Sequence, residues 1–142
     1  KLTILARELG QNIEIGEFPV RSLVPEALRD CSIDEFLEKL PEYDDEIDTL
    51  FRDAAAENKQ LRYIASLDAA GNASVGLDAV DADHPFCNIN LTDNIEQFET
   101  ERYTANPLVI QGPGAGPEVT AAGVFSDLLR LASYLSTGMG YV

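Results

Sequence analysis

The chain reads as α+β: a mixed, largely antiparallel sheet with helices packed on one face, plus a C-terminal helix after a glycine-rich turn. Three observations predict it. Segments 61–67 and 73–80 alternate apolar and polar residues around a loop at 68–72 that contains Gly71, the pattern of a hairpin. Hairpins need no crossover helix, which argues against a doubly wound parallel sheet. Val119, Ala122, Phe125, Leu129 and Ala132 recur at helical spacing within 117–135, the clearest helix in the chain.

The remaining elements follow in order. Residues 1–9 predict a helix, with Leu2, Leu5 and Leu9 on one face and Gly10 as its stop. No capping residue precedes Lys1, so the native helix is expected to extend upstream. Residues 13–15 and 18–24 read as extended, punctuated by Pro19 and Pro25. Ser32 and Glu35 form a capping box for a short helix to Leu40, which Pro41 interrupts. A second helix is expected over 44–58, with Ile47, Leu50, Phe51 and Ala54 on one face and acids on the other. Strands are expected at 86–91, 95–103 and 108–111.

Composition bounds the function. A chain of 142 residues that is 45 % hydrophobic suits one compact domain and carries enough apolar material for a core. The net charge of −15 predicts a solvated acidic surface, with neither nucleic acid nor anionic membrane as a partner. No run approaches the roughly 20 apolar residues of a membrane span. Cys31 and Cys87 form no close motif and are expected as reduced, mostly buried thiols in a cytoplasmic protein. With His84 the one histidine, a zinc site is not expected and no metal ligand is assigned.

The turn at 111–117, Gln-Gly-Pro-Gly-Ala-Gly-Pro, joins the last strand to the last helix. Glycines at alternate positions permit a sharp turn and close approach of another group. Pro117 suits the first helical position, and the amides of Glu118, Val119 and Thr120 open that helix. The dinucleotide fingerprint is not met, because its third glycine falls where Pro117 stands. A tight structural turn and a ligand contact are both compatible with this pattern.

The stretch from Asn106 to Gly116, continued by Val119-Thr120-Ala121-Ala122-Gly123-Val124, closely resembles the C-terminal signature of homoserine dehydrogenases. Lys1-Leu2-Thr3-Ile4-Leu5-Ala6-Arg7-Glu8 is similar to the helix bearing that family's catalytic lysine. Ser22-Leu23-Val24-Pro25, Leu61-Arg62-Tyr63-Ile64-Ala65 and Asp83-His84-Pro85 match the pattern between them, in order. The most similar version is the dehydrogenase end of bifunctional aspartokinase–homoserine dehydrogenases.

The resemblance implies a substrate and dimerisation region, residues 1–142, of an enzyme interconverting L-homoserine and L-aspartate 4-semialdehyde with NAD or NADP. It implies Lys1 as proton donor and acceptor, and Gly116 and Gly114 beside the cofactor, where side chains would collide with the dinucleotide. Thr120 is a weaker contact candidate, and Gly112 is read as turn geometry. Residues 107–136 are expected to pack on a nucleotide-binding domain that lies upstream, and a homodimer is expected through the sheet. The isolated chain is expected to be inactive and to hold no cofactor, since catalysis needs hydride donor, substrate and proton relay within reacting distance. Arg62 and Arg102 are expected on strands, paired with surface acids, and His84 in a turn. The competing reading is a non-catalytic small-ligand or regulatory α+β module. The repeated βαββαβ order such modules show is not found.

Overall fold

The computed structural model describes residues 1–90 and 92–136. The chain divides into two compact units, Lys1–Cys87 and a second beginning at Asn88. The α+β class holds. The strands, however, form two separate antiparallel hairpins rather than one sheet.

The first unit opens with helix α1, Leu2–Glu8, which buries Leu2, Thr3 and Ala6. Gly10, at φ +80°, ends it as expected. Segments 13–15 and 18–24 form no strand. Only Val20 makes a bridge, parallel to Val75, with Arg21 N–H donating to Val75 O at 2.8 Å and Val75 N–H to Pro19 O at 3.0 Å. The prolines remove donors on either side, so no longer ladder forms there.

Helix α2, Ile33–Lys39, starts at Ser32, whose Oγ accepts from Glu35 N–H at 3.3 Å. The reciprocal half of the capping box is not made, because the Glu35 carboxylate pairs with Lys39 at 2.6 Å. Pro41 breaks the α geometry but continues as a 3-10 turn, Leu40–Tyr43, leading directly into helix α3, Asp44–Ala56. That helix stops two residues before the expected end, where Asn58 turns to φ +57°.

Strands β1, Lys59–Leu67, and β2, Ala73–Asp81, pair antiparallel from Lys59↔Asp81 to Leu67↔Ala73, as the alternation predicts. The expected strand at 86–91 is a 3-10 turn over Pro85–Asn88 instead; Leu91 lies outside the described residues. Tertiary bonds explain the difference. Arg62 Nε donates to Phe86 O at 2.9 Å and its Nη2 to Cys87 O at 3.3 Å. Phe86 N–H donates to His84 Nδ1 at 3.2 Å. The backbone groups a ladder would use are already taken.

In the second unit, strand β3, Asp93–Phe98, pairs antiparallel with β4, Leu108–Pro113. The strand expected over 95–103 therefore begins earlier and ends at Phe98. Beyond it the chain turns, with Thr104 Oγ1 donating to Thr100 O at 2.9 Å. Helix α4, Pro117–Ser136, follows the glycine turn.

The buried residues Leu2, Thr3, Ala6, Leu28, Ala54, Ala73 and Gly76 all lie in the first unit. None of the described residues of the second unit is buried. The apolar material anticipated for a core is present, but much of it faces outward.

Candidate functional site

Lys1 is exposed and stands at the N-terminal end of α1. Its carbonyl accepts from Ile4 N–H at 3.0 Å and Leu5 N–H at 3.2 Å, so the helix fixes its backbone. The helix is held from below by its buried face and laterally by the Arg7–Glu14 ion pair at 2.6 Å. A lysine at the N-cap of an anchored helix has a fixed backbone origin, and an amine is a group that can transfer a proton to a nearby oxygen.

The glycine turn belongs to the second unit. Gly112 lies inside β4, opposite Asn94, so it is a strand residue and not part of the turn. The turn proper is 114–116. Gly116 adopts φ +126°, which only glycine accepts without strain, and open space surrounds the position of a Cβ there. A shallow hollow of about 220 Å³ lies beside it, lined by Pro113, Ala115, Gly116, Pro117, Glu118 and Val119. Pro117 opens α4 as predicted, and Gly116 O accepts the first intrahelical bond from Thr120 N–H at 3.3 Å. The Thr120 hydroxyl also donates back to Gly116 O, at 2.8 Å. That bond orients the hydroxyl toward its own backbone.

Gly114 differs. A Cβ at this position would stand 2.5 Å from Asn94 Cγ and closer still to Asn94 Nδ2. Asn94 carries no local signal, since nothing in an alternating strand marks which residue reaches across to a turn.

The other polar candidates resolve plainly. Arg62 lies on β1, but its guanidinium meets carbonyls and an amide, not acids: Phe86 O, Cys87 O, Leu61 O at 2.8 Å and Gln60 Oε1 at 2.6 Å. Arg102 lies in the turns after β3, not on a strand. His84 is a turn residue, edge-on to Phe86 with ring centroids 4.7 Å apart. Cys31 and Cys87 are free thiols, half-buried rather than buried. Their sulfurs donate to Leu28 O at 3.2 Å and Asp81 O at 3.4 Å. Among the described residues no group of histidine, cysteine or carboxylate side chains is arranged to hold a metal ion. No helix among them is long and apolar enough to cross a membrane.

A larger groove of about 510 Å³ lies in the first unit between residues 21–25, α3 and the β1–β2 hairpin. Leu23, Ile47, Leu50 and Leu77 line it, with Asp44, Glu46, Asp53 and Glu57 among its acids. Arg21 shapes one wall. Its Nη2 pairs with Asp78 at 2.7 Å, and its guanidinium lies where a side chain on Gly76 would stand.

Comparison with known proteins gives consistent matches. The family model described as homoserine dehydrogenase matches residues 1–129. The chloroplastic bifunctional aspartokinase/homoserine dehydrogenase 2 of Zea mays is 50 % identical over 137 residues, 95 % of this chain and 15 % of that protein. The homoserine dehydrogenase of Saccharomyces cerevisiae is 47 % identical over 138 residues, 95 % of this chain and 38 % of that protein. A crystal structure of a Candida auris protein of unknown function is similar with a TM-score of 0.86 at 48 % identity, covering 94 % of this chain and 38 % of that one. The chain thus spans well under half the length of these relatives.

Proposed function

The chain belongs to the homoserine dehydrogenase family, and from that premise we propose that it supplies the substrate-side, C-terminal part of an NAD(P)-dependent enzyme that interconverts L-homoserine and L-aspartate 4-semialdehyde. The observation that carries the proposal is the Gly116 turn, bare, left-handed and open beside its hollow at the start of α4.

The residues present fit a dinucleotide edge. Open space at Gly116 lets a flat ring or a ribose approach the backbone. Glu118, an acid in the first turn of α4, repels a pyrophosphate, so the hollow suits the nicotinamide–ribose end, which carries no negative charge. The nicotinamide, when bound, exchanges hydride with the substrate carbon. Lys1 handles the proton at the substrate oxygen: its ammonium donates when the aldehyde is reduced, and its neutral amine accepts when the alcohol is oxidised. Proton and hydride then balance without any further co-reactant.

The exposed apolar surface supports a larger assembly. Phe125, Leu128 and Leu129 on α4 are 59 %, 58 % and 52 % exposed. We assign that helix as the surface that packs on a nucleotide-binding portion, and exposed hairpin surface as what a second copy covers.

A chimera tests the reading. In the Saccharomyces enzyme, the 138 matched residues are replaced by this chain. The chimera is expected to reduce NADP in the presence of L-homoserine, followed by the absorbance of the reduced nicotinamide, while the unfused chain stays inactive. Lys1→Ala in the chimera is expected to lower kcat about a hundredfold or more. Full turnover after Lys1→Ala would remove Lys1 from the chemistry.

A further inference from the structure

The glycine turn is braced from within its own unit. Asn94 sits opposite Gly112 in the β3–β4 register. Its side chain does not remain over that partner but reaches diagonally to Gly114, two residues further along. The surrounding bonds fix both ends of this reach. Gly114 N–H donates to Thr92 O at 3.2 Å, and Gln111 Nε2 donates to Asp93 Oδ2 at 3.0 Å. The two bonds start from Thr92 and Asp93, just before Asn94, and reach β4 on either side of its partner Gly112, and Gly114 is the last residue held before the chain turns through Gly116 into α4.

We propose that Asn94 is a positioning residue for the cofactor turn: its carboxamide fills the space that a side chain at Gly114 would need, and so holds 114–116 in place at the entry to α4. The inference rests on the reading of this turn as a dinucleotide contact. It changes the reason for one glycine. Gly114 is bare because Asn94 occupies its flank, whereas Gly116 is bare toward open space. Asn94 touches neither substrate nor cofactor in this account and acts through the backbone of the turn.

A double-mutant cycle separates this from simple collision with a bound dinucleotide. In the chimera, Asn94→Ala and Gly114→Ala are each expected to raise KM for NADP about fivefold, with kcat changed by less than about twofold. Because alanine at 114 displaces the carboxamide that Asn94→Ala removes, the double variant is expected to be no worse than the larger single. Additive losses overturn the proposal, since Gly114 would then answer to something other than Asn94. An unchanged KM for NADP in Asn94→Ala overturns it as well. The melting temperatures of the same four versions of the unfused chain give a readout independent of activity, and the same non-additivity is expected there. If the unaltered chimera neither binds NADP nor turns over, the functional reading fails by itself, and additive melting losses would then remove the Asn94–Gly114 coupling separately.

Discussion

At the scale of single residues, side chains that organise backbone carry much of this structure. Asp68 is the clearest case. Its Oδ1 accepts from Ala70 N–H and Asn72 N–H, both at 2.9 Å, and its Oδ2 from Asn72 Nδ2 at 2.7 Å. The Asn72 carboxamide first, then the backbone amides, hold its carboxyl below the ordinary value of 3.8. A lowered folded pKa contributes stability that is complete above the unfolded value and lost as pH falls through the folded one. Amide exchange in the β1–β2 hairpin is therefore expected to quicken relative to its intrinsic rate as pH falls below the unfolded value of 3.8, and Asp68→Asn should flatten that response. An identical acid response in the variant would show that another group is responsible. The candidate site is legible at this scale only where a motif names a residue. The motifs single out Lys1, at the head of α1, and Gly116, in an open turn before α4, and the roles given to both are proposals. Asn94 was invisible, because its part depends on a register that no local pattern encodes.

At the scale of elements, α1 is anchored by its smallest buried residue. Ala6 is fully buried, at 0 % exposure, on the face that also buries Leu2 and Thr3. Ala6→Leu is expected to destabilise the chain by about 1–3 kcal/mol through overpacking, measured by urea unfolding. A loss below about 0.5 kcal/mol would mean that the α1 face carrying Ala6 is less tightly packed than its burial indicates. Helices were legible because periodicity and caps are local: Ser32, Gly10 and Pro117 all mark the ends they predicted. The hairpin at 68–72 was legible for the same reason. Residues 86–91 were not, because Arg62, remote in sequence, claims the carbonyls of Phe86 and Cys87. The backbone groups that a strand would use there were already engaged.

At the scale of the whole molecule, the β1–β2 pairing could be read from its short loop, but the arrangement of the remaining strands could not. Alternation says where a strand lies and is silent on which neighbour it takes. One sheet was therefore expected where two hairpins stand. Burial was equally hidden, since the same apolar stripe serves an internal core or an external one. Leu131 and Leu135 on α4 are 50 % and 75 % exposed, alongside Phe125 and Leu128. Phe125→Glu with Leu128→Glu should leave the unfolding of the isolated chain within about 0.5 kcal/mol of the unaltered one. In the chimera the same pair is expected to abolish turnover by preventing assembly. Retained activity would show that α4 faces water in the complete enzyme too.

The bonds of Arg62 carry a consequence for acid. A guanidinium stays cationic throughout the working range, and amide oxygens gain no proton there. The fastening of Phe86 and Cys87 to β1 joins that cation to peptide carbonyls, so acid alone does not undo it.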